Sequence, residues 1–292
     1  MFILKFIRYS IEMQFLLFFY VFCKLLGIDQ SSKSIGFVAE KIGPSLGISK
    51  RADKNLKKAL QSLNFNERKN IIKKMWNNLG RTSAEFFNIK TLIKNQNRIK
   101  IKGIEIIDKY KDKGVIYVSG HLANWEIIPI AIMNKDKKVA AVFRESNNFL
   151  FNNWMIKQRK LITENQFPKG ISGTKEILNF LKNNGSVAML VDQKLSNGVK
   201  AKFFNMNAMT ASVPATLALK YGYPVVPLNV SRIKNVNFEI EFFPMIEIAE
   251  SGNLEEDILN FTNKINKFLE EKIIEKPEEW FWLHNRWDKR FN

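Results

Sequence analysis

In the stretch VIYVSGHLANWE, Val115 to Glu126, an apolar run ends at Ser119-Gly120, and His121 and then Glu126 follow. The chain of 292 residues holds two histidines, His121 and His284, so a histidine placed close to a carboxylate is informative. Residues five apart on a continuous helix lie about 140° apart and face different ways. The pair can work together only if His121 precedes a helix and Glu126 lies in its first turn. Gly120 breaks the strand, Asn124 is a good N-cap and Pro129 is best tolerated near a helix start, so the spacing predicts that arrangement. Glu126 would then hold one imidazole nitrogen, set the tautomer and leave the other nitrogen as a general base. There is no Gly-x-Ser-x-Gly elbow, and the one cysteine, Cys23, sits in an apolar N-terminal segment. The base would therefore act on a hydroxyl brought by a substrate. The plainer alternative is a strand-end histidine satisfied by a nearby carboxylate. A zinc site is disfavoured, because two histidines and no useful cysteine leave too few soft ligands.

Other polar residues stand at the ends of neighbouring apolar runs. Arg144 follows VAAVF directly, and its guanidinium fork would suit a phosphate, although a solvated strand-end arginine reads the same way. Asp192 and Gln193 follow SVAMLV and could face the same edge or simply cap a turn. His284, among Trp280, Trp282 and Trp287, reads as a packing or hydrogen-bonding residue and not as a second base.

These residues need a scaffold that brings strand ends together. Strand-like runs at 114–119, 139–143, 186–191, 225–230 and 238–242 alternate with helical spacing across 149–161, 174–181, 211–221 and 254–274. Helical spacing also marks 55–63 and 67–87, whereas the Ser- and Gly-containing stretch 31–49 reads as a connector. Runs apolar on both faces are what strands covered by helices look like. The expected fold class is α/β, a largely parallel central sheet flanked by helices, with His121 at a strand's carboxyl end where open sheets bind ligands.

The N-terminus, MFILKFIRYSIEMQFLLFFYVFCKLLGI, points to a membrane. Ile11 to Ile28 spans 18 residues, about 27 Å of helix against a hydrocarbon core of about 30 Å. No small-x-small cleavage site follows, so residues 1–30 are expected to be an uncleaved membrane-anchoring helix, spanning or lying in the interface, and residues 31–292 the body. Lysines and arginines from Lys33 through Lys58 favour a cytoplasmic body. The formal net charge of +18 will draw anionic partners, but the lysines are scattered and form no recognition helix, so nucleic acid is not expected. A single cysteine excludes an intrachain disulfide.

GHLANWE resembles the His-x-x-x-x-Asp/Glu motif of the glycerolipid acyltransferase superfamily and is closer still to the bacterial lipid A late acyltransferases of the lauroyl/myristoyl type. The resemblance continues in order through VFRESNN, LKNNGSVAMLVDQ, GVKAKFFNMNAMTASVPATLALKYGYPVVPLNVSR and PEEWFWLHNRW, and so covers nearly the whole chain. No Pro-Glu-Gly block of the glycerol-phosphate branch is present. The resemblance implies an acyltransferase in which a hydroxyl of a lipid A precursor attacks a thioester on acyl carrier protein. It implies His121 and Glu126 as the catalytic dyad and Arg144, Asp192, Gln193, Thr210 and Arg232 as substrate-binding residues. It further implies no metal or other cofactor, an anionic lipid acceptor, and a place at the cytoplasmic face of a bacterial inner membrane. Acylation of another lysolipid or glycolipid, or a non-catalytic lipid-binding role, stays open. The chain departs from the family pattern at Ala123 and Asn205, where glycine is usual.

Overall fold

The computed structural model describes residues 2–110, 112–133, 138–143, 146, 148–247 and 250–288. Its helices are α1 (Phe2–Ile42), α2 (Ser49–Ala59), α3 (Phe65–Phe87), α4 (Ile89–Lys94), α5 (Glu105–Asp108), α6 (Ile128–Met133), α7 (Phe149–Arg159), α8 (Ile171–Lys182), α9 (Val213–Tyr221) and α10 (Leu254–Glu275). Its strands are β1 (Ile99–Lys102), β2 (Ile116–Ser119), β3 (Val139–Phe143), β4 (Asn165–Pro168), β5 (Ser186–Leu190), β6 (Val199–Phe203), β7 (Met206–Thr210), β8 (Val225–Lys234) and β9 (Asn237–Phe242).

Seven strands form one sheet in the order β1-β9-β8-β2-β5-β3-β4, with β8–β9 as its antiparallel pair. The fold is α/β with a mostly parallel sheet, as the alternating pattern implies. Strand β2 is central and buried at every position, which accounts for an apolar run without alternation. Ile116 and Val118 face a core shared with α8, α9 and α10, while Tyr117 faces the opposite core with α4, α5 and α6. On α10 the stripe Phe261, Ile265, Leu269 and Ile273 is at most 3% exposed. Each such side chain contributes roughly 1.5–3 kcal/mol relative to exposure, so this helix is a principal clamp on the sheet.

The stretch 31–49 is not a connector. Helix α1 continues through it to Ile42, turning at Gly27, where φ is 67°. Its small residues serve packing: a Cβ on Gly80 of α3 would sit 2.7 Å from the Ala39 Cβ, so the two helices touch at their backbones. Ser31 Oγ donates to Gly27 O at 2.6 Å, and Ser32 Oγ donates to Glu85 at 2.7 Å, which satisfies hydroxyls that composition alone would assign to a loop. Before the turn, Phe15, Phe18 and Leu25 are 71%, 70% and 82% exposed, while Tyr9 and Tyr20 on the other side meet Phe149 and Trp154 of α7. Among the described residues, one helix is long and apolar enough to cross a membrane.

Candidate active site

Strands β2 and β5 lie side by side and parallel, with Ser119 opposite Leu190. Two residues beyond these strand ends come His121 and Asp192, which the register brings together. The Asp192 carboxylate is buried and accepts three hydrogen bonds: from the His121 Nδ1–H at 2.7 Å, from the His121 backbone N–H at 2.9 Å and from the Trp280 indole N–H at 2.7 Å. Burial alone would raise its pKa, but the imidazole beside it and the donated hydrogen bonds carry it below the usual carboxylate range. An acceptor that stays ionised fixes the proton on Nδ1 and leaves Nε2 as the basic nitrogen. The Gln193 amide nitrogen lies 3.3 Å from Nε2, and the ring meets Trp125 edge-on at 5.1 Å.

Glu126 is not the partner of His121. Its carboxylate receives a fork from Arg159, Nη2 to Oε1 at 2.7 Å and Nε to Oε2 at 3.1 Å. Two features take it away from the imidazole. Ala123 adopts a positive φ of 45°, and the backbone after His121 pairs with the C-terminal tail through a Leu122–Trp280 bridge and a bond from Phe281 N–H to His121 O at 3.2 Å. Nor does Asn124 cap the following turn; its amide donates to Glu85 at 3.0 Å. Two backbone N–H groups after His121 are already used, Leu122 on Gly120 O and Ala123 on Glu279 O, so neither is free as an oxyanion donor.

The other expected residues divide. Gln193 lines the same cavity as His121 and Glu126, whereas Asp192 acts from behind the imidazole instead of touching a ligand. Arg144 lies outside the described residues. Thr210 is a correction: it is fully buried in the β6–β7 hairpin, where Oγ1 donates to Ala208 O at 2.9 Å and accepts from Arg286 at 2.7 Å. Arg232 is another, being locked on Glu85 at 2.5 and 3.0 Å and stacked on Phe238 at 4.7 Å, away from the cavity. Its position in a β-strand next to a polar helix face made it an internal clamp. His284 is structural: its Nε2 accepts from the Lys194 backbone at 2.8 Å, and burial holds its pKa down at about 4, which keeps the ring neutral.

Two functional candidates have no sequence precedent in the spacing around His121. Arg159 is carried by α7 and borders the cavity; burial works against its charge, and Glu126 more than compensates. Trp280 belongs to the aromatic tail, whose indoles Trp280, Trp282 and Trp287 pack on Phe203 and Phe204, and it reaches Asp192 from there. The signal available was the density of tryptophan itself, since a buried indole N–H needs an acceptor.

The cavity beside His121 has a volume of about 390 Å³ and is lined from both sheet faces. Tyr117, Ala188 and Leu190 come from one face, and Val142, Met189 and Val191 from the other, where β3 and β5 stop pairing after Ala141–Ala188. An imidazole base, a buried carboxylate behind it, a guanidinium and an amide on the wall, and an apolar cavity suit transfer of an apolar group to a hydroxyl.

No curated protein matches the chain. Among solved structures it is similar to the 1-acyl-sn-glycerophosphate (LPA) acyltransferase, PlsC, from Thermotoga maritima, at 14% identity and a TM-score of 0.39, over 86% of this chain and 100% of that one. The model of the bacterial lipid A biosynthesis acyltransferases matches residues 4–289, and the chain therefore belongs to that family of enzymes.

Proposed function

We propose that the protein moves a fatty acyl chain from acyl carrier protein onto a hydroxyl of a lipid A precursor, with His121 as general base and Asp192 as the group that orients it. The observation that carries this reading is the Nδ1–Asp192 hydrogen bond of 2.7 Å, with His121 lining the cavity. The acceptor hydroxyl gives its proton to Nε2 as its oxygen bonds the thioester carbon. The tetrahedral intermediate then expels the thiolate, which takes the proton back from the imidazolium. Asp192, kept anionic, stabilises that imidazolium throughout. Arg159 and Gln193 line the cavity wall as donors suited to the charge that develops on the carbonyl oxygen, and Glu126 positions Arg159. Arg144, expected from resemblance to hold an acceptor phosphate, keeps that assignment as a proposal.

The charge of +18 favours encounter with an acidic carrier protein and an anionic lipid, in a salt-sensitive way. The exposed side of α1 would hold the site at the cytoplasmic face of the inner membrane, where such an acceptor resides. Purified protein given radiolabelled acyl carrier protein thioester should label a lipid A precursor in preference to lysophospholipid or glycerol phosphate, and His121→Ala should abolish labelling. Labelling of a glycerolipid alone would overturn the acceptor, and full activity in His121→Ala would overturn the mechanism.

A further inference from the structure

Two polar groups that line the cavity beside His121 are buried without a hydrogen-bond partner, Ser119 Oγ and Gln166 Oε1, whereas the Tyr117 hydroxyl is engaged by Ser186. Ser119 is 2% exposed. Buried polar side chains in folded proteins are nearly always paired, because a dry one forfeits the bond it would make in water. Both fall in the cavity that His121 lines. Such clustering points to a ligand that completes them.

Their placement says what shape that ligand has. Ser119 ends β2 two residues before His121, and both side chains line the cavity. The registers set Tyr117, Ala188, Ala141 and Gln166 in one row across β2, β5, β3 and β4. Two alanines in the middle leave a trough whose ends, Tyr117 and Gln166, are three strand spacings apart, about 14 Å. A chain entering at His121 passes Ser119 first and then crosses the trough toward Gln166.

We propose that this trough takes a donor fatty chain bearing its own hydroxyl, and that Ser119 and Gln166 select it over a plain chain; the proposal rests on the acyl-transfer reading in assigning the cavity to the donor's fatty chain. A hydroxyl both donates and accepts, so it can donate to Gln166 Oε1 or accept from Ser119 Oγ–H, whereas a methylene does neither. A site built to bond a ligand hydroxyl rejects the analogue that lacks it, since the site's own polar groups are then stranded. The reacting hydroxyl of the acceptor stands at His121 Nε2, so the hydroxyl met at Ser119 or Gln166 belongs to the acyl chain of the thioester donor.

The test uses full-length protein in micelles and needs no turnover. Dodecanoate and its 2-hydroxy, 3-hydroxy and 6-hydroxy forms are each used to displace a fluorescent fatty acid. One hydroxy form should bind at least about tenfold more tightly than dodecanoate, and Ser119→Ala and Gln166→Met together should bring that ratio to within about twofold. Ser119→Ala replaces an unpaired buried group and should not lower the melting temperature, whereas Gln166→Met also loses the Nε2–Thr163 O bond of 3.0 Å; binding of dodecanoate by the double variant as tight as by the wild type then shows that the cavity is intact. Equal binding of all four acids, or a preference that survives both substitutions, overturns the proposal. The preferred acid is then tested as an inhibitor of acyl transfer: competition with the thioester is expected, and competition with the lipid alone overturns the proposal. Selective binding without any acyl transfer would sink the catalytic reading and leave this one standing; transfer without selectivity would do the reverse.

Discussion

Asp192→Asn separates the two carboxylates near His121. Asp192 faces three donors, the imidazole Nδ1–H, the His121 backbone N–H and the Trp280 indole N–H. An amide in its place presents one oxygen and one NH2, so at least one donor meets another donor. If the NH2 faces Nδ1, the imidazole must change tautomer and carry its proton on Nε2, where the base is needed. If the oxygen faces Nδ1, the tautomer survives but the charge that steadies the imidazolium is gone. Asparagine in the corresponding place of a serine-protease triad lowers turnover about 10⁴-fold, and a loss of about 10³–10⁴ is expected here, roughly 4–5.5 kcal/mol of transition-state stabilisation.

Glu126→Gln should behave differently. It weakens the fork on Arg159, whose side chain is 21% exposed, and leaves a largely buried guanidinium short of compensation. Breaking one side of such a pair costs up to about 3–5 kcal/mol of stability, so the melting temperature should fall clearly, while transfer drops by about 10²-fold or less. Arg159→Lys should reproduce that loss, and combining it with Glu126→Gln should add little, because the two residues act as one unit. Initial rates of radiolabelled acyl transfer, with melting curves for each variant, decide the matter. If Asp192→Asn stays within about tenfold of the wild type while Glu126→Gln is as dead as His121→Ala, the assignment of Asp192 is wrong.

Three further outcomes follow. Ala123 is held at a φ of 45°, a conformation that costs a residue with a side chain about 1–2 kcal/mol, so Ala123→Gly should raise thermal stability by about 1 kcal/mol; no gain by calorimetry would contradict the strain. Burial raises the Glu279 carboxyl to about 7, with Lys276 and Arg232 opposing. A folded-state pKa raised above an unfolded value of about 4.3 gives stability that is full below about pH 4.3 and is lost as pH rises through about 7. Urea titrations across that window should therefore show the wild type losing about 2–3 kcal/mol relative to Glu279→Gln, and parallel curves would refute it. Replacing the exposed Phe15, Phe18 and Leu25 with serine removes at least about 1.5 kcal/mol of transfer free energy each, so flotation with anionic vesicles should lose the protein from the lipid fraction; unchanged flotation would exclude this face of α1 as the anchor.

The sheet was legible because its central strands are apolar on both faces, and runs such as VAAVF could be placed to the residue. What escaped were the two edge strands, β1, IKIK, which alternates but over only four residues, and β4, NQFP, whose side chains are half-buried and carry no period. The hairpin β6–β7 also escaped, although its loop explains one departure from the family pattern. Phe204 and Asn205 both take positive φ, 50° and 59°, in a two-residue turn closed by Phe203–Met206. Glycine is the usual solution at such a position, and asparagine is the side-chain-bearing residue that tolerates it best. Ala123 is the same case without that tolerance, held in place because its carbonyl accepts from Thr82 at 2.9 Å and Asn78 at 3.2 Å while its N–H binds Glu279 O.

The site was legible as a set of strand ends but not as a set of pairs. Local spacing made Glu126 the natural companion of His121, because five residues is a short reach and 71 is a long one. In a parallel sheet the reverse holds: neighbouring strands are far apart in sequence, and the register decides which of their terminal residues touch. Ser119 opposite Leu190 was enough to bring Asp192 to the imidazole, yet nothing within either run discloses that alignment. Asp192 could be recognised from sequence as a residue at the right edge, and its partner only once the strands are ordered with β5 beside β2. Arg159 shows the same limit from the other side. It lies at the end of a helix that buries no residue fully, so pattern alone marks it as surface, whereas in the fold it closes the cavity by meeting Glu126. A carboxylate displaced from its expected role thus keeps a use, and the double-variant test of Glu126 with Arg159 reads that role directly.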